Sequence, residues 1–191
     1  GWGGRLLGSL CSNLPIHYIG TDVNKSNQGC YEELGNFYNK HTGGKNTYEI
    51  YYDGSEVIHQ NKDFMNKHEN DVDLVFTSPP YFNREVYSTD EEQSCFKFPT
   101  YPDWLDGFLE QTLSTAYKLL KPECYCIINI CDIKVGREII PLEQDTIRKG
   151  MKVGFNFIGK MGMTMTRMIG LNPPDSKNYW LDMTTQTTSF A

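Results

Sequence analysis

The chain has 191 residues, 39% of them hydrophobic, and its 18 basic and 24 acidic side chains leave a formal charge of −6. That length and apolar content suffice for one sizeable core, no run approaches the roughly 20 apolar residues of a membrane span, and no signal peptide is recognisable. The acidic balance argues against a dedicated nucleic-acid coat, since phosphate contacts need lysine and arginine, and six cysteines without a Cys-x-x-Cys pair point to a reduced, cytoplasmic setting with no metal site.

In chain order, Gly1-Trp2-Gly3-Gly4-Arg5-Leu6-Leu7-Gly8 is a glycine-rich start running into the helical spacing of Leu6, Leu7 and Leu10. Glycine permits positive φ and close approach of the backbone to a ligand, although a flexible end reads the same way on its own. His17-Tyr18-Ile19-Gly20-Thr21-Asp22 is a short strand ending on a carboxylate. It follows the glycines by about twenty residues, the place where dinucleotide-binding folds put the acceptor for ribose hydroxyls; an ordinary turn aspartate is the plainer alternative. Residues 32–39 continue as a helix, Gly43 and Gly44 mark a loop, and residues 47–52 form an additional strand or part of a third strand ending at Val57-Ile58-His59. Asp63 and Phe64 follow as a helix N-cap and a core aromatic, or as ligand contacts.

Asp73 then introduces the apolar strand Leu74-Val75-Phe76, which Thr77 ends. Residues 83–102 are polar, acidic and punctuated by Tyr87, Phe96 and Phe98, a stretch long enough to be a lid or disordered. Asp103 caps a helix in which Trp104, Phe108, Leu109, Leu113 and Ala116 recur at helical spacing until Lys121-Pro122 stops it. Residues 125–130 read as a buried strand with Cys124 and Cys126 sharing a face, 142–149 as a helix, and 155–160 with 161–167 as late strands of a hairpin. Between Lys134 and Arg167 bases exceed acids, through Arg148, Lys149, Lys152, Lys160 and Arg167, which is one edge of a nucleic-acid channel or a solvated face. Residues 1–170 are read as one domain and 171–191 as an unassigned tail. Alternating strands and helices imply a mostly parallel sheet covered on both faces, with ligands at the strands' carboxyl ends.

The segment with the most chemistry in it is Ser78-Pro79-Pro80-Tyr81. A strand that stops on two prolines cannot continue its ladder, because proline has a fixed φ and no N–H. The resulting turn presents a hydroxyl, a proline carbonyl and an aromatic face. An exocyclic amine on a base is a poor nucleophile, its lone pair being delocalised into the ring. The Ser78 oxygen and the Pro79 carbonyl could accept from its two N–H groups and draw the nitrogen toward tetrahedral geometry, while Tyr81 stacks on the ring of a base flipped out of its duplex.

This tetrapeptide resembles that of the S-adenosylmethionine-dependent DNA amino-methyltransferases, which reads Asp, Asn or Ser before Pro-Pro and an aromatic; Thr77-Ser78-Pro79-Pro80-Tyr81-Phe82 is most similar to the cytosine-N4 branch, and some adenine-N6 enzymes share it. The resemblance implies a Rossmann-like methyltransferase fold with a late antiparallel hairpin, its first strand apparently missing before Gly1. It implies S-adenosyl-L-methionine as cofactor, held by the loop Gly1, Trp2 and Gly3, by Asp22 at the ribose, and by Val23, Asp63 and Phe64 around the adenine. Ser78, Pro79, Pro80 and Tyr81 are then the catalytic platform, and Phe82 a substrate contact. The implied partner is duplex DNA with a flipped base, together with a restriction endonuclease or a separate specificity element, in a bacterial, phage or mobile-element setting. RNA bases, protein glutamine and a catalytically dead binding module are the other readings. Cytosine-C5 chemistry is disfavoured, since no Pro-Cys nucleophile motif is present.

Overall fold

The computed structural model describes residues 3–84, 91–164 and 180–187, so the expectations for Gly1, Trp2, Tyr87, Arg167 and a strand before Gly1 lie outside the described residues. The chain divides into two compact units, Gly1–Ser55 and Glu56–Ala191.

In the first unit, helix α1 (Gly4–Leu10) precedes strand β1 (His17–Thr21), and helix α2 (Gln28–Thr42) precedes strand β2 (Thr47–Tyr51). The two strands pair in parallel, His17 opposite Thr47 through Thr21 opposite Tyr51. Leu6 and Leu10, one turn apart on α1, are buried with Tyr31 and Tyr38 of α2, the i, i+4 and i, i+7 spacing of helices that each bury one stripe. Asn46 ties these elements together. Only 2% exposed, its Nδ2 donates to the carbonyls of Ser9, Leu10 and Ser12 at 2.9, 3.0 and 3.1 Å, and its Oδ1 accepts from Ile16 N at 2.9 Å. The orphan carbonyls at the end of α1 are thereby satisfied by the residue that leads into β2.

In the second unit, helix α3 (Lys62–His68) precedes strand β3 (Val72–Thr77); the short helices α4 (Ser94–Lys97) and α5 (Tyr101–Trp104) follow, the latter continuing through one π-helical turn (Leu105–Leu109) into α6 (Glu110–Leu119). Strand β4 (Leu120–Ile130), the hairpin β5 (Ile133–Val135) and β6 (Glu138–Ile140), helix α7 (Leu142–Val153) and strands β7 (Asn156–Thr164) and β8 (Trp180–Thr187) complete it. The sheet order is β3-β4-β8-β7, with β3 parallel to β4 and β8 antiparallel to both its neighbours. Trp104, Phe108, Leu109 and Leu113 pack with Cys126, Ile128 and Ile130, the alternate residues of β4.

Three elements differ from what the sequence predicts. Val57-Ile58-His59 ends no strand: Ile58–Gln60 is a single 3₁₀ turn and the strand is β2 itself, because one buried isoleucine beside the capping residue Asn61 is too short a run for a ladder. Residues 155–160 and 161–167 are not two hairpin strands. One strand, β7, spans Asn156–Thr164, and its antiparallel partner is β8, which lies in the stretch that the sequence leaves unassigned. The helix predicted from Asp103 begins at Tyr101, since Thr100 is the cap, its side chain accepting from Asp103 N.

Replacing Asn46 with Ala removes the acceptor of Ile16 N and the donors to three carbonyls. The expected cost is about 2 to 3 kcal/mol, read as a lowered urea midpoint by circular dichroism, with Asn46→Asp, which turns a buried carboxylate oxygen on the three carbonyls, at least as destabilised. An unchanged midpoint for Asn46→Ala would show that the staple contributes nothing.

Candidate active site

The first unit contains an open cleft at the carboxyl end of β1, lined by Gly3, Arg5, Tyr18, Gly20, Asp22 and Tyr31 among others. Gly3 is the N-terminal cap of α1 and has φ 78°, in the left-handed region that favours glycine. At Gly20 a Cβ would sit 2.8 Å from the Tyr18 ring and 2.9 Å from Ile50 Cδ1, so any larger residue here would have to displace those side chains.

Asp22 extends the parallel ladder by one bond, its N–H donating to Tyr51 O at 3.0 Å. The carboxylate is then half-buried and heavily engaged: Oδ1 accepts from Asn24 N at 2.9 Å, and Oδ2 from Asn27 Nδ2 at 3.1 Å and Tyr31 Oη at 2.5 Å. Burial would raise its pKa, but the hydrogen bonds donated to it, including those of Tyr31, Asn24 and Asn27, outweigh burial and hold it below the usual carboxylate value. Asp22 therefore stays an acceptor throughout the physiological range. Burial, then the neighbouring Asp22 charge, pushes the Tyr31 phenol up, so it stays a donor. Asn24, Asn27, Tyr31 and Tyr18 are not among the residues that sequence reasoning singles out. The signal for two of them is present in Asp22-Val23-Asn24-Lys25-Ser26-Asn27, whose spacing of Asx residues after a strand is that of an Asx turn.

Of the other predicted cofactor residues, Gly3 and Asp22 share this cleft and Val23 does not line it. Asp63 and Phe64 belong to the second unit and start a helix. Asn61 is the cap, its side chain accepting from Phe64 N at 3.1 Å; Asp63 is exposed in the first turn, where its charge suits the helix dipole. Phe64 is 2% exposed and packs on the His68 ring at 5.0 Å between centroids, as the core reading expects. The exposed carboxylate that does follow a strand of the first unit is Asp53, two residues past the end of β2.

In the second unit, β3 ends at Thr77 and Ser78-Pro79-Pro80-Tyr81 follows it without secondary structure. Pro79 is buried. Among the described residues the Ser78 hydroxyl makes no hydrogen bond, whereas the Tyr81 hydroxyl donates to the Asn129 carbonyl of β4 at 3.3 Å. Arg84 N closes a turn on Tyr81 O at 3.0 Å. Phe82, predicted to contact the substrate, has φ 52° and is 7% exposed, its ring inside the core cluster. Of the polar stretch 83–102, residues 91–102 carry two anchors: Ser94 Oγ accepts from Trp104 Nε1 at 3.2 Å, and Lys97 pairs with Glu56 at 3.0 Å.

The basic surplus is largely spent on internal pairs. Lys149, 6% exposed, meets Asp106 and, at 2.6 Å, Glu110, while Lys152 pairs with Glu110, Arg148 with Asp145 and Lys160 with Glu143. Among the described residues no His, Cys, Asp or Glu cluster is arranged to hold a metal ion, and no helix is long and apolar enough to cross a membrane.

No family model matches the chain, and no curated protein does. Solved structures do match. A Thermus thermophilus protein assigned provisionally as a DNA modification methylase, complexed with S-adenosyl-L-methionine, is 21% identical over 73% of this chain and 55% of its own, with a TM-score of 0.51. A SAM-dependent methyltransferase of Methanosarcina mazei is 11% identical over 98% of both chains, TM-score 0.50, and a Bordetella parapertussis protein described as a possible exported protein is 10% identical over the whole of this chain and 59% of its own, TM-score 0.55. The chain shares the Rossmann-like fold of SAM-dependent methyltransferases. It spans about half the length of the Thermus protein.

Covalent chemistry through the core thiol is disfavoured by its surroundings: burial alone pushes Cys126 up to about 12. In the native protein at pH 8, iodoacetamide should therefore modify the exposed Cys11 and Cys30 and leave Cys126 unmodified, as read by peptide mass spectrometry. Labelling of Cys126 at the rate of Cys11 would contradict its burial.

Proposed function

We propose that this chain is the catalytic part of a DNA amino-methyltransferase that uses S-adenosyl-L-methionine, with cytosine N4 favoured over adenine N6. One observation carries the proposal: at the carboxyl end of a parallel strand a double-proline turn presents a Ser78 hydroxyl with no partner among the described residues, beside a tyrosine whose hydroxyl is tied to the neighbouring strand. The first unit's cleft suits the cofactor. It combines a left-handed glycine at a helix start, a floor that a Cβ would fill, and a carboxylate kept ionised. Gly3 and Gly20 would take backbone close to the ligand, and Asp22 would accept from ribose hydroxyls in exchange for bonds it now receives from Asn27 or Tyr31. The bound cofactor supplies an electrophilic methyl group.

The rest of the chemistry belongs to the chain. Ser78 Oγ and the Pro79 carbonyl accept from the two amine hydrogens and orient the nitrogen lone pair; both bonds strengthen as that nitrogen gains positive charge. Tyr81 stacks on the base, offsetting the cost of unstacking it from the duplex. Serine, unlike aspartate, can also donate, which suits a pyrimidine whose ring N3 lies beside its amine. With a net charge of −6 and, among the described residues, Arg148, Lys149, Lys152 and Lys160 paired internally, sequence recognition is assigned to a separate specificity element.

Two sets of measurements test this. Asp22→Ala should weaken cofactor binding by about 1 to 3 kcal/mol in calorimetric titration without unfolding the protein, and unchanged affinity removes Asp22 from the site. Ser78→Ala should mainly lower kcat, and Tyr81→Ala should cost about 1 to 3 kcal/mol of base stacking with cofactor affinity intact; parental rates in both variants would place the chemistry elsewhere. For the product, methylated DNA digested to nucleosides and resolved by mass should contain N4-methylcytosine. N6-methyladenine alone reverses the base assignment, and methylation of RNA or of a glutamine-containing protein but not of DNA reverses the substrate class.

A further inference from the structure

The residue that follows the catalytic turn occupies an unfavourable conformation for its type. Phe82 has φ 52°, a region cheap for glycine or asparagine and uncommon for a bulky aromatic. The next residue is Asn83, so a side chain better suited to left-handed backbone lies one position away. What holds Phe82 there is its ring. It packs edge-on against Tyr101 at 5.4 Å and Trp104 at 6.1 Å between centroids, and those two rings are themselves stacked at 6.3 Å and 14°.

Each wall of this socket is fixed in turn by a polar bond from a different element. The Tyr101 hydroxyl donates to Asp145 Oδ2 of α7 at 2.7 Å, and the other oxygen of Asp145 accepts from Arg148 at 2.7 Å. Trp104 Nε1 donates to Ser94 Oγ at 3.2 Å. Tyr81 is thus held through its hydroxyl on β4 and through its chain neighbour in the socket, while Arg84 N closes the turn between them.

We propose that Phe82 is a positioning residue for methyl transfer and that Asp145, acting through Tyr101, sets its position from α7. This rests on the reading of Ser78 to Tyr81 as the acceptor platform. Phe82 does not touch the reacting atoms. Its seated ring fixes the backbone that aims Ser78 and Tyr81, so its loss should appear in turnover rather than in cofactor affinity.

The test uses the full-length protein and the variants Phe82→Asn, which tolerates positive φ but lacks the ring, Asp145→Ala, and Asp145→Asn, which can still accept from Tyr101. Well below each melting temperature, Phe82→Asn and Asp145→Ala should lower kcat about tenfold or more at parental cofactor affinity, and Asp145→Asn should restore most of the rate. Amide hydrogen exchange of the peptide covering residues 77–84 should accelerate in the first two variants and match the parent in Asp145→Asn. A merely structural role would lower the melting temperature and leave kcat per folded molecule unchanged, and that result would overturn the proposal. So would unaltered exchange at residues 77–84. Should the parent methylate no DNA, the functional reading fails by itself, and the exchange experiment still decides whether the socket holds the turn.

Discussion

Two prolines at the end of β3 constrain everything around them. The register places Thr77 opposite Ile128, and β4 runs on to Ile130, so β4 outlasts its partner by two residues. Pro79 and Pro80 have no N–H with which to follow it. The β4 carbonyl just beyond the last paired residue, that of Asn129, is taken by a side chain instead: the Tyr81 hydroxyl. One missing donor therefore explains why the strand stops, why a tyrosine stands at the turn, and why its hydroxyl points back to the sheet.

Leaving such a turn requires a sharp change of direction, and the left-handed conformation at Phe82 provides it. An aromatic in that conformation is tolerable only where the surroundings over-determine it. Tyr101 and Trp104 do so as part of a core that also buries Phe108, Leu109 and the alternate residues of β4. The core of the second unit and its double-proline turn are one structure, and the charged bonds on α7 belong to the same support. Lys149 is nearly buried, where an unpaired ammonium would be costly, and two carboxylates from the π-turn and α6 offset that cost.

The parts of this arrangement that are legible in the sequence are those whose physics is local. Two consecutive prolines deny a strand two successive donors, hence the turn at Ser78 to Tyr81 is readable; a strand ending in a carboxylate after a glycine loop is readable at Asp22. Helical spacing locates the core residues from Trp104 to Ala116, and alternation locates those of β4. What escapes is set by partners distant in sequence. Phe82 reads, through the resemblance, as a substrate contact until Tyr101 and Trp104, about twenty residues on, are seen to enclose it. At Asp63 and Phe64 the sequence leaves a cap-and-core reading beside a cofactor one, and the structure places Phe64 in a core against His68 and gives the cap to Asn61 instead. Strand β8 has the threonine-rich polarity of a tail, and only its antiparallel fit between β4 and β7 makes it a strand. The basic run looks like a surface patch because Asp106 and Glu110, which neutralise Lys149, lie some forty residues upstream.

Asp22 and Ser78 occupy the same kind of place, each just past the carboxyl end of a parallel strand, where the sheet's hydrogen bonding runs out and side chains and loop amides take over. They solve opposite problems there. Asp22 must stay charged, so it is surrounded by donors, Asn24 N, Asn27 and Tyr31, and its ionisation survives partial burial. Ser78, on the proposed reading, would respond to a charge that exists only in the transition state, and its hydroxyl has no partner among the described residues. A group bonded in advance stabilises bound and reacting states alike, whereas an acceptor held in place and otherwise unsatisfied gains most as charge develops. On the proposed reading, the socket under Phe82 and the Ser78 hydroxyl, which has no partner among the described residues, are two halves of one requirement: the backbone is fixed so that the oxygen it presents can accept when charge develops.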